Sequence, residues 1–450
     1  MSVLDRAATV AAPTHNRWLV PPAALAVHLS IGQVYALSVF KDPLLEKFHA
    51  THTEIGVIFS IAIVMLGLSA AFGGRWMERN GPRKAMVLSA AFWASGFALS
   101  ALAISTGQLW LMYLGYGVVG GVGLGIGYIS PVSTLIKWFP DRPGLATGLA
   151  IMGFGGGAML AAPLATALLN NLGATQVDAL APTFLVMGAI YLVLTLMGAA
   201  VVRVPPKGWA PAGWTPTPEQ KAARGAQVTA TNAIKTRTFW MMWIVLFTNI
   251  TAGIGILENA KPMIEDFFPS VAGAAAAGFV GLLSLANMAG RIGWSSLSDF
   301  MGRRRTYIMF LGVGAGAYAL IALWGSTSIV LFVVLAVLAI TFYGGGFATI
   351  PAYLRDMFGE LEVGAIHGRL LTAWSAAGVA GPLIVNGILD ALSARGYAGP
   401  DLYRPSMFVM VALLGVGFTA NLLVRRVSSR FHEPQVEVDE RELVTAGKES

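Results

Sequence analysis

Long apolar stretches recur about twelve times along the chain, separated by short polar segments. A helix needs about 20 apolar residues to cross the hydrocarbon core of a bilayer. We therefore predict twelve membrane-spanning helices. The first six lie near Trp18–Phe40, Glu54–Trp76, Ala85–Ser105, Leu109–Trp138, Pro143–Leu169 and Pro182–Val202. The second six lie near Phe239–Ala260, Val271–Ser298, Thr306–Gly325, Ile329–Phe358, Gly364–Ala391 and Pro405–Val424.

The grouping of these spans predicts two six-helix domains, residues 18–202 and 238–427. A polar, proline-rich linker, residues 203–237, separates them. Residues 1–17 lack the apolar core of a cleavable signal peptide, so the first span is expected to act as an uncleaved anchor. Residues 428–450 form a charged tail that we expect to be disordered.

The cations are distributed unevenly between the two sets of loops. Alternate loops and the two tails hold 24 of the 30 lysine and arginine residues. Loops that face the cytoplasm carry such an excess. We therefore expect a multi-pass protein of the cytoplasmic membrane with both termini in the cytoplasm, which requires an even number of spans.

Composition agrees with this placement. The 450 residues are 56% hydrophobic and 12% charged, whereas soluble domains carry about 25% charged residues. In a soluble protein the net charge of +7 would suggest nucleic-acid binding. Here the distribution of the cations among the loops indicates the orientation of the chain in the bilayer instead. The chain has no cysteine, which excludes disulfides and thiol chemistry.

The two halves repeat one pattern of charges and glycines. Glu78 stands three residues before Gly81, and 221 residues later Asp299 stands three residues before Gly302. A basic pair follows each glycine. A second set agrees at an offset of 220, because Pro131 and Gly148 correspond to Pro351 and Gly368. Duplicated halves are the architecture of alternating-access transporters.

Arg291 is the candidate substrate ligand. It lies eight residues before Asp299, about 12 Å into an apolar helix at 1.5 Å per residue. A guanidinium at that depth faces a partner or a water-filled cavity. No acid is expected at comparable depth, because Glu258 falls near the outer end of its span. The alternatives are a substrate carboxylate, which we favour, and a structural pair; Asn287, one turn earlier, either orients the guanidinium or packs against a helix.

Several motifs resemble the major facilitator superfamily, and more narrowly its oxalate/formate antiporter family. They span both halves and include Gly32–Phe40, the glycine ladder from Gly115 to Gly127, and Lys137–Gly148 with its Trp-Phe-Pro-Asp run. Gly290-Arg291 with Leu297-Ser298-Asp299 complete the likeness. The resemblance implies an all-α fold of two pseudo-symmetric six-helix halves.

The resemblance also implies roles for residues in the spans. Arg291 would bind a carboxylate, and Tyr128 and Tyr343 would contact the cavity. Oxalate-exchanging members place a second cation, a lysine, on helix 11, where this chain has Trp374. A dianion beside one buried cation stays uncompensated. A monocarboxylate such as formate or lactate is therefore favoured over oxalate.

Other polar residues remain open between a functional and a structural reading. Tyr35 is a candidate substrate contact or an interfacial tyrosine, and Trp374 is packing or a wall that limits substrate size. His28, taken as the only deep histidine of six, is a candidate proton site or a hydrogen-bonded link between helices. We expect the gate to be formed by Glu78, Arg79, Asp299 and Arg303. In this gate a carboxylate would lie at a helix N-terminus, with cations opposite it.

These observations predict a secondary transporter of small organic anions, acting by exchange or by proton-coupled symport, as a monomer. Rival interpretations are a carrier of drugs or sugars within the same superfamily, and an anion channel. No metal cluster or pair of nucleophile and base indicates an enzyme, and no cofactor is expected.

Overall fold

Twelve long helices make up most of the chain in this computed structural model, which describes residues 4–12, 14–206, 208–216, 227–271 and 274–433. They are α1 (Arg17–Phe48), α2 (His52–Asn80), α3 (Pro82–Thr106), α4 (Leu109–Trp138), α5 (Pro143–Asn171), α6 (Gln176–Val201), α7 (Arg237–Phe267), α8 (Ala274–Met301), α9 (Arg303–Trp324), α10 (Ile329–Phe358), α11 (Val363–Ser393) and α12 (Pro400–Leu423).

Eleven of these helices contain a segment long and apolar enough to cross a membrane. The remaining one, α8, is 28 residues long and carries Arg291. The predicted all-α, twelve-helix fold is therefore confirmed. The domain limits stay a prediction, and most of the predicted disordered tail lies outside the described residues.

Several helices extend beyond the apolar spans because polar residues cap their ends. The second span, predicted to start at Glu54, begins as α2 at His52 behind a capping box formed by Thr51 and Glu54. The seventh, predicted as Phe239–Ala260, runs over Arg237–Phe267 with Thr236 as its N-cap. Hydropathy locates the part of a helix in lipid, not its full hydrogen-bonded length.

The first span is not the uniform helix that its apolar pattern predicts. Val20–Ile31 is α-helical, Gly32–Phe40 is 3₁₀, and Lys41–Phe48 is α-helical again. The change begins at Gly32, where a Cβ would lie 2.9 Å from the Phe154 Cα on α5. The absent side chain thus lets α1 and α5 approach closely.

The sequence repeat has a structural counterpart at the turns after α2 and α8. Gly81 has φ +95° and Gly302 has φ +85°, a region that side chains rarely adopt. Both glycines let the chain turn sharply into the next helix. This end of the molecule, with the turns at Gly81, Gly302 and residues 139–142 and 359–362, carries most of the loop cations. We call it the basic face.

At the basic face, hydrogen bonds join the first segment of each half to its last segment. In the first half, Ala11 N donates to Val204 O at 2.9 Å, and Val204 N donates to Thr9 O at 2.9 Å. In the second half, Thr238 Oγ1 donates to Arg425 O at 2.7 Å. The segment before α1 is thereby joined to the exit of α6, and the start of α7 to the exit of α12.

Candidate functional site

Arg291 lies at the interface of the two halves with its side chain fully buried. Its Nε donates to Asn287 Oδ1 at 3.1 Å, one turn earlier on α8. Its Nη1 crosses to the first half and donates to Ile151 O on α5 at 2.9 Å. Its Nη2 makes no hydrogen bond to any residue that the structure describes. Among the side chains that the structure describes, no carboxylate pairs with this guanidinium; the Glu258 side chain is outside that set.

Missing side chains on α5 make room for this arginine. A methyl group added at Gly155 would lie 2.9 Å from Arg291 Nε, closer than atoms in contact allow. At the adjacent Gly156, the nearest atom would be the Met288 sulfur at 3.1 Å. The glycine run of α5 therefore admits the guanidinium to the centre of the molecule.

Aromatic rings from five helices surround the site. The guanidinium carbon lies 5.3 Å from the Phe347 ring centroid on α10, within cation–π range. Trp374 on α11 packs against Phe347 at 4.7 Å and against Tyr128 of α4 at 5.7 Å. The remaining pairs are Tyr35 with Phe154 at 5.3 Å, Tyr128 with Phe154 at 5.3 Å, and Tyr343 with Phe347 at 5.3 Å.

Polar atoms without partners converge on the same place. The Tyr128 hydroxyl and Arg291 Nη2 are buried and make no hydrogen bond to a described residue. The Tyr35 hydroxyl interacts with Arg291 and with the Tyr343 hydroxyl, although no contact there has full hydrogen-bond geometry. Buried polar atoms are nearly always satisfied, so these incompletely paired donors in one cluster indicate space for a polar ligand. The arrangement offers an anion one cation and two hydroxyl donors.

Five of the six predicted substrate contacts, Arg291 included, therefore lie in this cluster or in its aromatic wall. The sixth, Asn287, accepts a hydrogen bond from the guanidinium. Trp374 contributes a ring and no charge. Their roles stay predictions, but residues from α1, α4, α8, α10 and α11 meet around Arg291.

His28 has the contacts of a link between helices. Its Nδ1 lies 2.7 Å from Ala150 O on α5, and its Nε2 lies 3.1 Å from Tyr128 O on α4. A neutral imidazole carries one N–H and can donate to only one of these carbonyls, so both contacts are hydrogen bonds only in the protonated ring. The contacts link α1 to α4 and α5, and the role of His28 as a proton site stays a prediction.

The expectation that His28 is the only deep histidine is wrong. His367, in the first segment of α11, is 1% exposed, and neither ring nitrogen has a partner among the described residues. Its ring centroid lies 5.9 Å from that of Tyr128. The sequence places His367 three residues inside a predicted span, at interface depth, whereas α2 covers it in the structure.

Two of the cross-half contacts at the basic face join a carboxylate to backbone amides, and we call them the locks. In the first lock, Asp299 accepts from Gly144 N at 2.9 Å and from Leu145 N at 3.0 Å, at the start of α5. In the second, Glu78 accepts from Gly364 N at 3.1 Å, at the start of α11. The carboxylates and the amides follow the 221- and 220-residue offsets of the sequence repeat. Each lock places an acid of one half at a helix N-terminus of the other.

The cations at the locks differ in part from the prediction. Arg303 pairs with Asp299 and also with Asp356 at 3.3 Å. Glu78 pairs with Lys137 at 2.5 Å, which the sequence analysis did not single out. Arg79 is exposed and makes no ion pair or hydrogen bond with a described residue, so it takes no part in the locks of this conformation, and its role in gating stays a prediction. On the α-helix, residue 79 points 100° away from residue 78 and faces outward.

A separate cavity of about 460 Å³ lies at the basic face, away from Arg291. Arg6, Met77, Glu78, Ser133 and Lys137 contribute to its lining. Glu78 and Lys137 are already paired with each other there, which leaves the cavity without a free charge of theirs for a ligand.

Comparison with known proteins fits this architecture. The family profile described as Major Facilitator Superfamily matches residues 23–299 and 262–448. The oxalate:formate antiporter of Oxalobacter formigenes is 25% identical over 81% of this chain and 83% of its own length. The apicoplast pyruvate carrier 1 of Toxoplasma gondii is 25% identical over 73% of this chain and 68% of its own. In fold, the chain resembles FucP solved in the outward conformation, with a TM-score of 0.68 at 13% identity over 92% of this chain and all of that one.

Proposed function

Because the chain belongs to the major facilitator superfamily, whose members are transporters and not enzymes, we propose that it carries small organic carboxylates across the membrane by alternating access. The observation that carries the proposal is the buried Arg291, whose Nη2 makes no hydrogen bond to a described residue, with the unpartnered Tyr128 hydroxyl and the Tyr35 hydroxyl beside it. A carboxylate has two oxygens and can accept from the guanidinium and a hydroxyl together.

The number of charges favours a monocarboxylate. Arg291 is the one cation among the described side chains of the cluster, and Trp374 contributes no second one. A dianion would keep one buried negative charge without compensation, which is costly. The names of the two relatives, an oxalate:formate antiporter and a pyruvate carrier, support small organic carboxylates as the substrate class, and the preference for a monocarboxylate rests on the number of charges alone.

The position of the locks supports a conformation closed at the basic face. The positive-inside rule makes that face cytoplasmic, with both termini on that side of the cell membrane. The structure would then represent a state with no path to the cytoplasm, and transport would require the locks to open. Arg291 and its neighbours would act within one protomer, so a monomer suffices.

Counterflow in proteoliposomes tests the proposal. Vesicles loaded with formate, lactate or oxalate and containing the purified protein should accumulate the labelled monocarboxylate. Arg291→Ala should reduce uptake by about a hundredfold, since two charge-assisted hydrogen bonds contribute roughly 3 kcal/mol together. Arg291→Lys should also reduce uptake, because an ammonium group cannot make the two parallel hydrogen bonds that a guanidinium makes with a carboxylate. Arg305→Ala, which removes an exposed arginine, is the matched control.

The outcomes separate the rival functions. Full carboxylate uptake by Arg291→Ala would point to a carrier of another class, such as drugs or sugars. Anion flux without saturation or counterflow would point to a channel. Rapid uptake without a trans anion and without proton movement would exclude both exchange and symport.

A further inference from the structure

His367 is a buried ionisable side chain that the proposed carboxylate site does not use. It is 1% exposed, and both its ring nitrogens lack partners among the described residues. His28 differs, since its two nitrogens face backbone carbonyls, although a neutral ring, with one N–H, can donate to only one of them. A histidine kept only for packing could be replaced by an apolar residue without leaving orphan nitrogens. The unpartnered ring therefore needs an explanation.

The ring lies one side chain away from the substrate cluster. Tyr128 contacts His367 at 5.9 Å between centroids, and on its other side it contacts Trp374 at 5.7 Å. The hydroxyl of the same tyrosine is free and lies within the field of Arg291. An anion bound at Arg291 would therefore sit near His367 in an interior of low dielectric, where charges interact strongly.

His367 also lies at a contact that must part during transport. Gly364 N, one turn before it, is held by Glu78. A Cβ at Gly74 of α2 would lie 2.6 Å from Ala365 Cα, so α2 and α11 touch closely beside the histidine. When the locks open, these helices separate and water from the basic face reaches the ring. In the closed state the ring is sealed.

Most other titratable groups on the elements packed there are paired. Arg369 is the exception, because its Nη1 has no partner among the described residues and its positive charge opposes protonation of His367. On α2 and α4, Glu78 is paired with Lys137. Arg75 of α2 pairs with Glu362 at 3.1 Å, and Arg355 of α10 pairs with Glu360 at 2.5 Å. The groups that face His367 from α1 and α4 are His28 and Tyr128, and its own segment carries Arg369.

From this placement we infer that His367 is a proton-binding site coupled to the carboxylate at Arg291. This rests on the proposed function and extends it to the co-transported ion. With the site empty, Arg291 is charged and His367 is neutral. With substrate bound, one carboxylate and one proton on the imidazole cross together. The net charge of the site is then the same when the loaded carrier crosses as when the empty carrier returns. The return of the empty carrier then meets no added electrical barrier, and net symport replaces obligatory exchange.

Linkage gives the first test, which uses the unmodified protein. Each ligand must raise the affinity for the other by the same factor. Adding formate or lactate to the detergent-solubilised protein in weak buffer should take up close to one proton per bound anion, seen with an indicator dye. His367→Gln should bind the anion with no proton uptake. Anion binding without proton uptake by the unmodified protein would overturn the inference.

Transport gives the second test. An inward proton gradient should accelerate net carboxylate uptake severalfold in the unmodified protein, and His367→Gln should keep counterflow but lose this acceleration. If His367→Gln retains the acceleration, the inference is wrong; if His28→Gln alone loses it, His28 is the proton site instead. If the unmodified protein moves no carboxylate in either assay, the proposed function itself fails.

Discussion

At the scale of single residues, the site depends on how closely Arg291 can approach α5. Gly155 and Gly156 are neighbours on that helix, but only the first borders the guanidinium, and the second borders the flexible thioether of Met288. The two positions therefore form a matched pair for testing the placement of the arginine.

Gly155→Ala should displace the guanidinium and weaken carboxylate binding, because the added methyl group would lie 2.9 Å from Nε. We expect the KM for counterflow to rise tenfold or more while the protein remains folded. Gly156→Ala should change KM little, since the Met288 side chain can move. Equal effects of the two substitutions would contradict this account of the site.

Trp374→Ala should change substrate size selection. The ring packs against Tyr128, Phe154 and Phe347, so its removal opens space beside Arg291. The ratio of lactate uptake to formate uptake should increase severalfold. The measurement is a ratio, which corrects for the loss of about 3–5 kcal/mol of stability that such a truncation causes. Trp324→Ala, at an exposed tryptophan, should leave the ratio unchanged.

The sequence predicts Arg291 well and His367 poorly, for one physical reason. A charge deep in an apolar run is costly wherever the helices pack, so Arg291 stands out without coordinates. The burial of His367 depends on α2 lying across the first turns of α11, which no local pattern encodes. Arg79 shows the same limit, because its charge and spacing fit a gate while its side chain faces outward in this conformation, so its role in gating stays a prediction.

At the scale of helices, the basic face is held by side chains that accept from backbone amides. The Asp299 lock joins α8 to the start of α5, and the Glu78 lock joins α2 to the start of α11. The sequence repeat predicts the acids, since both precede a glycine turn. It does not predict their partners, because a backbone amide has no residue type.

Asp299→Asn should favour the state that is open at the basic face. One carboxylate oxygen and its ion pair with Arg303 are lost, and about 1.4 kcal/mol would shift the equilibrium tenfold. The natural absence of cysteine allows a single reporter, Thr147→Cys, at the buried contact between α5 and α10. Its labelling by a maleimide should become about ten times faster in Asp299→Asn.

Asp401→Asn is the control for that experiment. Asp401 pairs with Arg404 at 2.9 Å on an exposed surface away from the locks. The same change from carboxylate to amide there should leave Thr147→Cys labelling unchanged. Faster labelling in both variants would indicate general loosening of the fold instead of a specific lock.

At the scale of the whole molecule, the halves meet through α5 with α8 and α2 with α11, and Arg291 adds a hydrogen bond to Ile151 O. Twelve helices and the twofold repeat are predictable because lipid demands apolar spans and the duplicated turns keep their glycines. The 3₁₀ segment of α1 is not predictable from the sequence, because it depends on the approach of α1 to α5 at Gly32.

Co-expression of residues 1–216 with residues 217–450 should yield a working carrier. The contacts between the halves described above do not involve residues 203–216, so the two pieces should co-purify through a tag on either one. Counterflow should persist at a substantial fraction of that of the intact chain. A break between Gly107 and Gln108, inside the first half, is the control and should abolish assembly. Failure of the two halves to co-purify would contradict the proposed division of the chain.

The hydrogen bonds that join Thr9 and Ala11 to Val204 bear on how the protein is made. All the segments joined by these hydrogen bonds have been synthesised once the start of the linker, up to Val204, is made, so the first bundle can finish assembling while the ribosome is still translating the second. The Asp299 lock cannot form until α8 has been inserted, and Glu78 must wait for Gly364. The nascent carrier would therefore have its central arginine in place before the second lock at the basic face can form.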